Sequence, residues 1–390
     1  MGISLYRITA TLTAETPLHI GSGVRTGVIK HSRPYIPGST IRGAVGTVIL
    51  RSACRLDKPM IEHEMCSHFD ECLYVRLFGE EFGRASNLFF RYAYPLHLAC
   101  GGVYYPSAKT IYTCRRPQCG RVYDSFTPPE KCGCDGSIKP YRGFRCKSCG
   151  HLITSPIGMS RITMTALDRE RGSAAQIPGG EEAVGTLHTI EVVERGSKFA
   201  LELLIHRRLE GELKIVEEAL VKGLPDEGIG GGKSRGFGKV RVENLQVSAV
   251  SEEEVRERAE LIDTRSFSVR LLSPLLLDGQ LLEPGTLLEG ARRAYTLIFQ
   301  EGKPKLPELR LTGRRISYEA FSGWSLKEQR RRRIEAALSS GSVFQFECGE
   351  KDETLALALA SLEHYSMGGY KPHGCGHLIV EPARSGGGEM

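Results

Sequence analysis

Six of the chain's twelve cysteines fall between Cys114 and Cys149, in pairs whose spacing suits a metal. Cys146-Lys-Ser-Cys149-Gly150 is a two-residue knuckle, and Cys114-Arg-Arg-Pro-Gln-Cys119-Gly120 is a looser four-residue version. Glycine after the second cysteine relieves the tight turn that lets backbone N–H groups face the thiolates. Four sulfurs make a closed tetrahedral site, so Cys114, Cys119, Cys146 and Cys149 are the expected ligands of one structural zinc. Cys132-Gly-Cys134 holds two further thiols that could replace one pair. The competing explanation is a loop of free thiols. An insertion of about residues 113–151 has little apolar material to order it without metal, which favours zinc. Disulfides are the expectation for small secreted chains. This chain has 390 residues, and its N-terminus lacks the charged-then-apolar layout of a signal peptide. A cytoplasmic location with reduced thiols is therefore expected.

The second group with chemical potential is Gly230-Gly-Gly-Lys-Ser-Arg-Gly-Phe-Gly238. Its Gly-Lys-Ser is shared with phosphate-binding P-loops, but there the motif follows a strand and opens a helix. Here a predicted helix precedes it and a predicted strand follows, so nucleotide hydrolysis is not expected. Gly230, Gly231, Gly232, Gly236 and Gly238 let the backbone approach a ligand, while Lys233, Ser234 and Arg235 can reach phosphates. The plainer alternative is a tight connection to the next strand. The same pattern returns 138 residues later, with Gly369, Lys371, His373, Gly374 and Gly376 on Gly231, Lys233, Arg235, Gly236 and Gly238. A loop repeated in the same helix-to-strand context points to internal duplication.

Other candidates are weaker. Histidines such as His19 are possible general bases, yet none lies in a nucleophile or metal motif. Asp168 stands beside Arg169 and Arg171, an acid whose neighbours could hold RNA phosphates or simply form a salt-bridged turn. Arg330–Arg333 lies in a predicted helix, where four consecutive side chains face all round and cannot form one stripe.

The elements that must position these groups are legible from periodicity. The length predicts two domains, and the net charge of +6 mildly favours a polyanionic partner. No apolar stretch is long enough to span a membrane. Strands are predicted at Tyr6–Leu12, Ile162–Leu167, Leu187–Val193, Phe199–His206 and Lys239–Leu245, with a helix at Glu212–Lys222. Gly38, Ser39 and Arg42 open another helix, about Ser39–Arg55, with Ser39 or Thr40 as its cap and a phosphate-compatible N-terminus. The charged stretch Ser251–Leu261 is a linker helix. After it a strand, Phe267–Leu272, and a proline turn, Ser273–Gly279, repeat the opening Thr13–Gly21 pattern. A helix at Asp352–Glu363 and a strand at His377–Glu381 enclose the second glycine loop.

Two glycine loops, each after a helix and before a terminal strand, resemble the RAMP superfamily of CRISPR-associated proteins. Tyr35-Ile-Pro-Gly-Ser-Thr-Ile-Arg-Gly-Ala44 is similar to the family's opening signature. Thr163–Ala175, together with Gly341–Phe346 and Met367–Gly376, resembles the large RAMP subunit of type III-D effectors. The resemblance implies an α+β fold of two ferredoxin-like modules, residues 1–250 and 265–385, joined by a linker helix at 251–264. The first would carry the zinc-ribbon-like insertion. It implies a non-catalytic subunit that holds the 5′ handle of the guide (crRNA). Its partners would be the large signature subunit and backbone RAMP subunits, with no membrane and no small-molecule substrate. The expected RNA contacts are Gly38, Ser39, Arg42, Asp168, Arg169, Arg171, the Gly230–Gly238 loop, Lys371 and His373. The alternative within the same superfamily is an endoribonuclease that processes repeat RNA, using a histidine such as His19.

Overall fold

The computed structural model describes residues 5–56, 66–68, 71–79, 85–165, 167–168, 173–174, 176–179, 182–185, 187–279, 281–325 and 330–384. The opening alternation makes strand β1 (Leu5–Ala14), whose Ile8, Ala10 and Leu12 enter a core with Ile41, Val45 and Ile49 of helix α1 (Gly38–Ala53). Strands β2 (Leu88–Phe90), β3 (Lys198–His206) and β4 (Val240–Val250) complete an antiparallel sheet in the order β4-β1-β3-β2. Helix α2 (Leu213–Glu218) runs on through a π-turn at Ala219–Gly223 to Leu224–Glu227, ahead of the first glycine loop. The predicted cap of α1 differs from the one observed. Extended Pro37 occupies the N-cap, so Ser39 and Thr40 fall inside the first turn, and no side chain among the described residues caps the helix. A proline with fixed φ and no N–H is well suited to a helix entry.

Helix α3 (Glu252–Glu260) is capped by Ser251, whose hydroxyl accepts from Glu254 N at 3.1 Å. Beyond it the first pattern repeats. Strand β5 (Ser266–Leu271), helix α4 (Pro284–Phe299), strands β6 (Arg310–Arg315) and β7 (Val343–Glu347), helix α5 (Glu353–Tyr365) and strand β8 (Leu378–Pro382) follow in turn. Their sheet has the order β6-β7-β5-β8 and is again antiparallel. Both sheets therefore follow the β-α-β-β-α-β plan of a ferredoxin-like fold. Backbone contacts repeat with the plan. Gly231 N donates to His19 O at 2.9 Å and Gly238 N to Pro17 O at 3.0 Å. In the second half Gly369 N donates to Leu276 O at 3.0 Å and Gly376 N to Pro274 O at 2.8 Å.

The two halves pack closely. Side chains on successive strand residues alternate between faces, so Leu5, Arg7, Phe89 and Arg91 look away from the first core. Leu5, Leu204 and Val250 join the apolar core of the second half, and Phe89 meets Tyr365 edge-on at 6.1 Å. Arg7 reaches Glu254 at 2.7 Å and His364 Nδ1 at 3.1 Å. The outer face of the second sheet is covered by the cysteine-bearing insertion from the first half. Arg270 donates to Pro106 O at 3.1 Å, Arg384 pairs with Asp124 at 2.8 Å, and Arg315 donates to Phe126 O at 2.7 Å. Among the described residues, no helix is long and apolar enough to cross a membrane.

Three largely buried histidines lie near this junction. Burial, with Arg7 and Arg91 next, lowers His364 to about 3. Burial, with Arg42 and Arg332 next, lowers His373 to about 3, and burial lowers His377 well below its ordinary 6.5. The unfolded chain takes up these protons first, so the stability they confer is full above pH 6.5 and is lost as the pH falls toward 3. Each histidine contributes up to about 1.4 kcal/mol per pH unit in that window. The midpoint of urea unfolding should accordingly fall between pH 7.5 and pH 5, and replacing His364 by Gln should flatten the drop. A midpoint that does not move over this range would contradict the assignment.

Candidate nucleic-acid interface and metal-binding lobe

In the first glycine loop, Gly232 (φ 77°, ψ 20°) and Gly236 (φ 86°, ψ 6°) are both left-handed and bracket one 3-10 turn, Lys233–Arg235. The loop lies directly on the proline turn after β1. A Cβ at Gly230 would stand 2.5 Å from His19 O, so this approach requires glycine. Lys233, Ser234 and Arg235 are exposed. Lys233 Nζ pairs with Glu227 at 2.7 Å, and Glu227 also accepts from Arg51 at 2.6 Å. Arg235 Nη1 lies 3.5 Å from His188 Nε2. The turn thus presents two cations and a glycine backbone to solvent, which suits a phosphate-bearing chain better than an apolar ligand.

The second loop has the same shape and a different setting. Left-handed Tyr370 (φ 53°, ψ 29°) and Gly374 (φ 89°, ψ 7°) bracket the 3-10 turn Lys371–His373. This turn is pressed into the first half. A Cβ at Gly38 would stand 2.4 Å from Phe90 O and 2.6 Å from His373 O. Lys371 Nζ sits 4.0 Å over the Tyr365 ring. His373 Nδ1 is buried and has no hydrogen-bond partner among the described residues. Gly38 and His373 therefore meet at an internal contact, with Lys371 set against Tyr365, apart from the first loop's exposed turn.

Arg42 is also turned inward. It donates to Phe78 O at 2.8 Å and to Ser86 at 3.3 Å, with its guanidinium 4.8 Å over the Phe78 ring. Burial lowers it to about 10, so it stays charged at neutral pH. Ser39 is half-buried in the first turn of α1. Asp168 forms a two-residue strand, Leu167–Asp168, paired with Ser173–Ala174. Its side chain, and all of Arg169 and Arg171, lie outside the described residues. Arg330–Arg333 differs from the predicted helix, because Arg330–Arg331 is a strand paired with Trp324–Ser325. A run of charges has no apolar period by which sequence could separate the two.

His19 sits under the first loop. Its Nδ1 is 2.8 Å from Glu191 O. A ring nitrogen facing a carbonyl must carry the proton, which leaves Nε2 as the basic atom. That atom lies 3.6 Å from where a Cβ on Gly21 would be, and a Cβ on Gly231 would be 3.3 Å from the ring carbon Cδ2. Glycines on both sides keep the ring approachable.

The four expected zinc ligands are not brought together. Cys114 and Cys119 gather instead with Cys132 and Cys134, all four sulfurs lying within 4.8 Å of one another. Cys114–Cys134 and Cys119–Cys132 are each 3.5 Å apart, and the Tyr123 hydroxyl donates to Cys132 Sγ at 3.3 Å. Cys146 and Cys149 lie in a different group with Cys100 and His97. The split follows from the strands. Ile111–Cys114 pairs with Ile138–Pro140, folding the Cys132 turn back over Cys114, whereas Phe144–Cys146 pairs with Tyr104–Pro106. His97 and Cys100 precede the predicted insertion. Their signal, a His-x-x-Cys-Gly spacing of knuckle length, is nonetheless present in the sequence. Both groups can hold a metal ion.

The fold and the exposed glycine loop define a duplicated ferredoxin-like protein with a thiol-rich lobe. The RAMP superfamily profile matches residues 11–241, and the chain belongs to that superfamily. No curated protein matches the chain. Among solved structures, a Cas6 product complex is 12% identical with a TM-score of 0.42, covering 96% of this chain and 99% of that one. Thermus thermophilus Cas6 is 9% identical with a TM-score of 0.40, covering 97% and 99%. A chain of the type III-B Cmr-beta complex bound to cognate target RNA is 15% identical with a TM-score of 0.33, covering 63% and 61%.

The inward setting of Arg42 makes a prediction. Arg42→Ala removes a charge-assisted bond to a main-chain carbonyl and should cost about 2 kcal/mol in denaturant unfolding. Full stability in the variant would show that the guanidinium is not needed inside and would free Arg42 for RNA at the surface.

Proposed function

We propose that the chain is a non-catalytic guide-RNA-binding subunit of a type III CRISPR effector, of the III-D kind, holding the 5′ handle of the crRNA. The observation that carries this reading is the exposed Lys233–Arg235 turn, held open between left-handed Gly232 and Gly236. Phosphates would lie against the turn, with Lys233 exchanging Glu227 for RNA. Arg235 would take the next phosphate, and Asp168, Arg169 and Arg171 would order the adjoining strand. Arg42, Lys371 and His373 act in the proposed function by fixing the scaffold. The modules would span residues 1–250 and 265–385 around the 251–264 linker, in a cytoplasmic complex with the large signature subunit and backbone RAMP subunits. Zinc is the ion proposed for Cys114, Cys119, Cys132 and Cys134, since four thiolates suit a closed tetrahedral site.

The double variant Lys233→Glu, Arg235→Glu should weaken binding of a 5′-handle RNA. It should also reduce the slope of log K against log salt by about two, one for each phosphate that the two cations no longer neutralise. Unchanged affinity and slope would refute the assignment.

A second reading, endonucleolytic processing of repeat RNA, is favoured by one feature, the approachable Nε2 of His19. In that case the chain would cut repeat RNA without added metal, and His19→Ala would abolish the cut while leaving binding. Binding with no new fragment supports the first reading. A His19-dependent fragment would overturn it.

A further inference from the structure

We propose that His97, Cys100, Cys146 and Cys149 form a second zinc site, separate from the four-cysteine group and anchoring the root of the lobe. The inference goes beyond the RNA reading and does not depend on it. Cys100 Sγ is 3.2 Å from His97 Nδ1, 3.5 Å from Cys146 Sγ and 3.6 Å from Cys149 Sγ, while Cys149 Sγ is 3.3 Å from His97 Nδ1. A tetrahedral ion with sulfur ligands at 2.3 Å places those sulfurs about 3.8 Å apart, so the cluster is already at nearly the spacing of a filled site. Three sulfurs cannot all pair as disulfides, and separations of 3.5 Å are far longer than the 2.05 Å bond.

The backbone closes over the sulfurs. A Cβ at Gly102 would stand 2.7 Å from Cys146 Sγ, so only glycine lets this backbone close over the sulfur. The His97 ring stacks on His151 at 5.1 Å, which limits its rotation.

Position gives the site its role. His97 and Cys100 lie just after Tyr94–Pro95, where the chain leaves the first sheet, and Cys146 and Cys149 lie at the far end of the covering segment, on and just after Phe144–Cys146. Between them the chain covers the outer face of the second sheet, through Pro106, Asp124 and Phe126. An ion here ties the two ends of the covering segment together and holds it against its sheet.

Metal analysis of the purified full chain tests the proposal. Two zinc ions per chain are expected, falling to one in Cys100→Ser, Cys149→Ser and also to one in Cys119→Ser, Cys134→Ser. One ion in the wild type that is retained in the first variant, or two in that variant, would overturn it. Should that variant fail to fold, cobalt-loaded wild type provides an independent measurement. It should show a three-sulfur, one-nitrogen centre beside a four-sulfur centre, and His97→Cys should shift only the first. A spectrum of four-sulfur centres alone, unmoved by His97→Cys, would refute the second site.

Discussion

Arg91 leaves the first sheet at the end of β2 and enters the last turn of α5 in the second half. It is 4% exposed, donates to Glu363 O at 3.1 Å, and also bonds His364 O and Ser366. A cation at a helix C-terminus satisfies carbonyls that have no intrahelical partner and meets the negative end of the helix dipole. Its Nε lies 3.6 Å from Glu202 on β3, so the buried charge is balanced within its own sheet. Leaving Arg91 unmatched would strand its charge out of water, a cost of several kcal/mol. The end of α5 is thereby fixed relative to the first sheet. The glycine loop that follows α5 has little freedom except to lie where it does, against Gly38 and Phe90.

This constraint decides which surfaces remain for a partner. A ferredoxin-like sheet has helices on one face and an opposite face that is open in an isolated module. Here the open face of the first sheet takes Arg7, Phe89 and Arg91 into contact with α3 and α5. That of the second takes Arg270 and Arg384 under the lobe. Among the described residues the open faces of both sheets are largely covered, and the first loop is an exposed cationic feature near the proline turn, beside Lys239 and Arg241. Under the proposed function, RNA held at this loop edge would rely mainly on phosphate contact with the glycine backbone and its two flanking cations.

How much of this the sequence discloses depends on the range of the interaction. The glycine loops are legible because positive φ is a local demand, written in the same spacing at Gly232, Gly236 and Gly374. Strand β1 is legible because one of its faces is apolar. The pairing of cysteines is not, since adjacent knuckles look alike until the strands between them are registered. Cys132 and Cys134 stand out in the sequence as possible replacements, but His97 and Cys100 lie outside the stretch where cysteines crowd. The inward turn of Arg42 and the burial of the second loop are tertiary facts. An arginine in a helix gives no local indication that Phe78 O will be its acceptor, and Arg330–Arg333 has no period from which a strand could be inferred.

The divergence of the two loops is itself informative. Where the first loop has Gly232 in the left-handed region, the second has Tyr370, at an energetic cost for a residue with a side chain. That cost is of order 1 kcal/mol or more and persists only where surrounding contacts hold the residue in place. For Tyr370 they do. Its ring packs on Phe321 at 5.1 Å and on His373 at 5.6 Å, and its hydroxyl donates to Glu335 at 2.8 Å. A large anchored ring on the loop serves packing and blocks the close backbone approach that Gly232 leaves open. His19 and its counterpart Leu276 diverge in the same sense, one approachable and polar, the other buried and apolar. One copy of the duplicated loop has kept its backbone available to a ligand, while the other has been incorporated into the contact that holds the two halves together.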